Sequence, residues 1–123
     1  KAKVYNMCNV EGLDNVLNIK HGIEAVEYDK VVCFNKLYIK EINYTPGCHS
    51  CNPVGDVIYT PKRPKLLHMK FLDENYIVER YKMFKNRMSE ENIKMGWGIQ
   101  YREEENIIRE SFKNHLKQAK EII

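Results

Sequence analysis

The sequence predicts an α+β protein, with short mixed or antiparallel strands in its N-terminal half followed by a C-terminal helical tail. Two observations carry this. Up to about residue 72, β-branched and aromatic residues come in brief runs broken by Pro, Gly and Asn, the pattern of short strands and turns. Beyond it, apolar residues recur at steps of three and four, the period of an amphipathic helix. A chain of 123 residues suffices for one core and is short for two ordinary domains. The expected organisation is therefore a single domain or fragment, with 1–72 as a strand-and-loop region and 73–123 as the helical tail.

The elements follow in order. Val16, Leu17 and Ile19, close to Asp14, start either a short helix or a loop that lies on the sheet. Val31–Phe34 and Glu41–Tyr44 are rich in strand formers, and Pro46-Gly47 closes the second. They read as two edges of one sheet or of a ribbon. Asn52–Asp56 is a turn leading to a strand at Val57–Tyr59, after which Pro61 and Pro64 interrupt the chain. Lys65–Phe71 reads as the most buried strand. Asp73 is placed to cap a helix whose packed stripe is Ile77, Tyr81, Phe84 and Met88, with Glu79, Lys82 and Lys85 outside it. Ser89 caps a second, short helix that Gly96 ends, and Gly96-Trp97-Gly98 forms a hinge around a bulky ring. A third helix runs from about Arg102 to the end on the stripe Ile108, Phe112, Leu116 and Ala119.

The composition, 30% charged and 43% hydrophobic, is that of a globular protein and excludes a disordered or fibrous chain. No apolar run approaches the roughly 20 residues of a membrane helix, and the Lys-Ala-Lys start carries no signal segment, so a cytoplasmic protein is expected. The net charge is +3, and Lys62, Arg63, Lys65 and Lys70 follow one another without an intervening acid. That stretch reads as a solvated edge, or as one that meets a phosphate or an acidic lipid surface. It is too narrow, and too poor in stacking aromatics, for nucleic acid. Cys8, Cys33, Cys48 and Cys51 read as reduced thiols. A zinc site on Cys48, His49 and Cys51 has only one Cys-x-x-Cys knuckle behind it.

Five residues are candidates for a site. His68 lies inside an apolar strand, where an imidazole is either satisfied by a hydrogen bond or aimed at a metal or phosphate. His49 lies in a Pro-Gly turn, where backbone and ring can approach a ligand. Trp97, the single tryptophan, is a packing anchor for the tail or a platform for a sugar ring, with Gln100 and Tyr101 just beyond it. Glu90-Glu91 and Glu103-Glu104-Glu105 sit at helix starts, where carboxylates stabilise exposed amides, and are read as structural. No phosphate loop, Gly-x-Ser-x-Gly elbow, His-Glu-x-x-His or Asp-x-Asp is present.

A series of segments resembles the C-terminal region of bacterial GT-A-type glycosyltransferases related to family 2, of the kind that build surface polysaccharide. They are Asp29–Asn35, Ile39–Tyr44 leading to Pro46-Gly47-Cys48-His49, Leu66–Leu72, Tyr76–Tyr81, and Arg87–Asn92 leading to Gly96-Trp97-Gly98-Ile99-Gln100-Tyr101. The resemblance covers about residues 29–105. It implies an acceptor-side region of a GT-A α/β fold, whose parent enzyme moves a sugar from a nucleotide-sugar donor to a glycan or lipid-linked acceptor. It also implies that a nucleotide-sugar-binding half, with an Asp-x-Asp motif holding Mn or Mg, is absent from these residues, and that they are inactive alone. His49 and His68 would lie near the donor diphosphate, with His68 next to the metal. Trp97, Gln100 and Tyr101 would contact the acceptor or its sugar. Peripheral association with the inner face of the membrane and self-association are both compatible with it. The sequence departs from the family pattern at Gln100, where His is frequent, and at Met69, where an aromatic is frequent. The alternative is a non-catalytic interaction module.

Overall fold

Strand β1, Lys3–Cys8, ends on three consecutive buried side chains, Asn6, Met7 and Cys8. It belongs to a four-stranded sheet with β2 (His21–Glu24), β5 (Lys65–Phe71) and β6 (Lys120–Glu121), in the order β5-β1-β2-β6. A separate antiparallel pair is formed by β3 (Ile39–Glu41) and β4 (Val54–Gly55). Helices α1 (Glu74–Asn86), α2 (Glu90–Lys94) and α3 (Glu105–Gln118) follow. This α+β arrangement, strands first and helices last, is that of a computed structural model describing residues 1–123. By packing, the chain divides into two units, 1–6 with 24–68 and 7–23 with 69–123.

In the first unit, the start of β1 is held by its backbone. Ala2 N–H donates to Lys30 O (2.7 Å), Lys3 N–H to Pro64 O (2.9 Å) and Ala25 N–H to Val4 O (2.9 Å). Val4 N–H donates instead to a side chain, Asp29 Oδ1 (3.0 Å), in the interior. Asp29 also pairs with the Arg63 guanidinium. These two donors, the amide first, hold the Asp29 carboxyl below its ordinary range.

The second unit carries the larger core. Cys8, Phe71, Ile77, Val78, Tyr81, Ile108 and Phe112 form one buried cluster, against which Ile23, Tyr101, Leu116 and Ala119 pack. Each fully buried large side chain contributes about 1.5–3 kcal/mol through apolar surface removed from water. Helix α1 starts where Asp73 Oδ1 accepts from Tyr76 N–H (2.8 Å), and α2 where Ser89 Oγ accepts from Asn92 N–H (3.2 Å). Glu90 and Glu91 lie in the first turn of α2, and Glu105 in that of α3, as their charge predicts. Arg109 on α3 bridges Glu105 (2.7 Å) and Glu74 on α1 (3.2 Å). Strand β6 pairs antiparallel with β2, Gly22 opposite Lys120.

The structure differs from the sequence reading at six places. The most buried strand is β1 and not β5, since β1 has a neighbour on each side and β5 lies at the sheet edge with only Phe71 buried. Val31–Phe34 forms no strand. Val57–Tyr59 forms none either, and Ile58 and Tyr59 are 88% and 78% exposed. In both cases strand-forming residues lack a partner strand to pack against, which is what their propensity reports. The second predicted strand runs Ile39–Glu41 and does not continue to Tyr44, since Asn43 at φ 47° breaks an extended run. Met88 lies beyond the end of α1. The third helix begins only at Glu105, because Ile99–Arg102 is a 3-10 turn and Glu103 is extended, and it gives way to β6 after Gln118. The uncertain N-terminal stretch holds a 3-10 turn, Val16–Asn18, capped by Asn15.

Candidate functional site

The His49 turn is the tip of a tied hairpin. Tyr44 bridges Cys51, Asn52 N–H donates to Asn43 O (3.0 Å), and Thr45 N–H donates to Ser50 O (3.0 Å). Ser50 N–H in turn donates to Thr45 Oγ1 (3.2 Å). The tip then bends through two left-handed residues, Gly47 at φ 78° and Cys48 at φ 60°. The second is a strained position for a residue with a β-carbon. Val31 N–H donates to Cys48 O (3.1 Å) and so fastens the tip to the segment after Lys30. The His49 ring folds back over Gly47, where a β-carbon would stand 2.7 Å from His49 Cδ2.

This geometry brings the two candidate histidines of the first unit to one aromatic ring. The Tyr28 ring centroid lies 6.0 Å from that of His49 and 6.4 Å from that of His68. His68 Nδ1 is 2.9 Å from Asn6 Oδ1. With the amide oxygen accepting, the neutral imidazole carries its proton on Nδ1 and its lone pair on Nε2. His49 Nδ1, by contrast, is buried without a hydrogen-bond partner. A buried polar nitrogen left unpaired costs about 1–3 kcal/mol. Unprotonated, it carries the lone pair that a divalent cation takes; protonated, it is a donor to an oxygen such as that of phosphate. The structure gathers no group of three or more His, Cys, Asp or Glu side chains, and all four cysteines are free thiols.

Trp97, Gln100 and Tyr101 lie in the second unit, around a cavity of about 380 Å³. Gly96 and Gly98, both at φ 69°, turn the chain before and after Trp97. At Gly98 a β-carbon would meet the Tyr101 ring at 2.9 Å, so the close approach of that ring needs glycine. Tyr101 packs edge-on against Tyr81, centroids 5.1 Å apart, and against Phe84 at 4.9 Å. The packing anchor is therefore Tyr101. Trp97 is 46% exposed and lines the cavity. Arg87 and Asn92 share the lining.

Sequence reasoning missed Tyr28, Asn6, Arg87 and Asn92 as site residues. Tyr28 and Asn6 carry no motif and are placed only by the fold. Arg87 and Asn92 stand inside a segment that the resemblance singled out. The basic stretch is partly used internally, since Arg63 pairs with Asp29 and its Nε donates to Lys1 O (3.2 Å). Lys65 Nζ lies 6.0 Å from the Tyr5 ring centroid. No helix is long and apolar enough to cross a membrane. No protein-family model, curated protein or solved structure matches the chain.

Proposed function

We propose that this chain is the acceptor-side portion of a glycosyltransferase that moves a sugar from a nucleotide-sugar donor to a glycan or lipid-linked acceptor at the cytoplasmic side of a membrane. The observation that carries the reading is His49 Nδ1, buried and unpartnered beside a second histidine at the same tyrosine. The motif series from Asp29 to Tyr101 supports it.

In this reading His49 and His68 face the donor diphosphate. His49 Nδ1 is a donor atom for a divalent cation or, when protonated, for a phosphate oxygen. Asn6 fixes the His68 ring so that Nε2 presents a lone pair. A bound Mn or Mg would neutralise charge on the leaving diphosphate. The Tyr28 ring lies next to both imidazoles. Trp97, Gln100 and Tyr101 line the cavity that receives a sugar. The Asp-x-Asp half belongs to the complete enzyme, so the test for these residues is binding and not turnover.

Calorimetric titration of the chain with UDP and GDP in the presence of Mn tests the reading, beside His49→Ala and His68→Ala. Binding that is lost in both variants supports it. Absence of binding, or binding indifferent to both substitutions, removes the histidines from a diphosphate site.

A second reading, an interaction module, is favoured by the exposed apolar side chains of the first unit. Phe34, Tyr38, Ile58 and Tyr59 line a cavity of about 570 Å³ and are 45–88% exposed. The same titration separates the two, because an interaction module would ignore nucleotide and cation.

A further inference from the structure

We infer that the cavity beside Trp97 takes a sugar unit bearing one negative charge, the carboxylate of a uronic acid or the phosphate of a sugar phosphate. The inference rests on the reading of Trp97 as a sugar platform and adds the chemical class of the sugar.

The cavity combines three kinds of group. The Trp97 and Tyr101 rings offer apolar faces for the C–H side of a pyranose. The Asn92 and Gln100 amides each offer a donor and an acceptor suited to sugar hydroxyls. Arg87 is the single charged residue in the lining, which contains no carboxylate. The side chains of Arg87, Asn92, Trp97 and Gln100 make no hydrogen bond or ion pair within the protein. Four groups able to hydrogen-bond thus line one concave surface and are free of protein partners.

The backbone holds them there without help from a ligand. Asn92 N–H is bound to Ser89 Oγ (3.2 Å), and Asn92 O accepts from Trp97 N–H (2.9 Å). Arg87 N–H donates to Phe84 O (3.0 Å) at the end of α1. Tyr101 is fixed against Tyr81 and Phe84. A planar guanidinium beside an aromatic platform recognises a carboxylate or phosphate through two parallel hydrogen bonds. A neutral sugar would leave that fork unpaired.

Trp97 is the only tryptophan of the chain, so its fluorescence reports this cavity alone. The chain is titrated with methyl β-glucuronide, glucose 6-phosphate and methyl β-glucoside, with sodium acetate and inorganic phosphate as sugar-free anions. At least one charged sugar is expected to bind about tenfold or more tighter than the glucoside and than either free anion, the discrimination of a charge-assisted bond. Which charged sugar wins identifies the source of the charge. Arg87→Gln removes the preference and Arg87→Lys restores it in part, while the melting temperature of each variant matches the parent because Arg87 is exposed. Equal binding of the glucoside, equal binding of the free anions, a preference that survives in Arg87→Gln, or a silent Trp97 overturns the inference. None of those outcomes touches the diphosphate titration, which stands or falls on His49 and His68.

Discussion

The imidazole of His49 lies so close over Gly47 that a β-carbon at Gly47 would stand 2.7 Å from His49 Cδ2 and 2.8 Å from Nε2. The glycine therefore sets where the ring sits as well as how the turn bends. Gly47→Ala should reduce affinity for UDP and Mn as much as His49→Ala does. It should also lower stability by about 1–2 kcal/mol, because alanine resists a left-handed φ. Calorimetry and a thermal melt of the same sample check both. An alanine variant with unchanged nucleotide affinity would detach the turn from the site.

The Asn6 carboxamide assigns the proton of His68. A long-range proton–nitrogen spectrum should show the Nδ1–H tautomer of this ring, and Asn6→Ala should shift the ring toward the Nε2–H form that a histidine side chain in water favours. A parent ring already in the Nε2–H form would contradict the Asn6 contact.

Asp29 should make the protein acid-sensitive. Its carboxyl is held below the ordinary range first by Val4 N–H and then by Arg63. The stabilisation is complete above the unfolded value of about 4 and is lost as pH falls through the lower folded value. Asp29→Ala leaves the Val4 amide unpaired and should cost about 1–3 kcal/mol near neutral pH. The gap in melting temperature between parent and Asp29→Asn should narrow below about pH 4. A gap that is constant with pH would show that the charge plays no part.

Cys8 is fully buried, and burial pushes its thiol up to about 11. It should resist a thiol reagent in the folded protein while exposed Cys33 and Cys48 react. A raised thiol favours the folded state below the unfolded value of about 8.5, and that contribution is lost as pH climbs from there toward the folded value. Counting labelled thiols with and without denaturant checks this. Labelling of Cys8 at the same rate as Cys33 would contradict its burial.

How much was legible depended on how local each signal is. The caps at Asp73 and Ser89, strand Lys65–Phe71 and the stripe through Ile108 and Phe112 are set by neighbours within a few residues, and all four are as read. Val57–Tyr59 has the residues of a strand but no partner, and Lys3–Cys8 has partners that lie far away in sequence. A strand's burial depends on those distant neighbours, which is why the first was read as a strand and the second was not read at all. His49, His68, Trp97, Gln100 and Tyr101 could be singled out by type and context, whereas Tyr28 and Asn6 could not.

The sequence by itself determined the class of the fold, the helix starts at Asp73 and Ser89 and the glycine turns at Gly47 and Gly98, because capping, helical period and left-handed φ are properties of short stretches of chain. Only the tertiary structure decided that His49 and His68 share Tyr28, that His49 Nδ1 is buried without a partner, and that Arg87 joins Trp97 in one cavity. Those relationships join residues up to tens of positions apart, and packing alone brings them together.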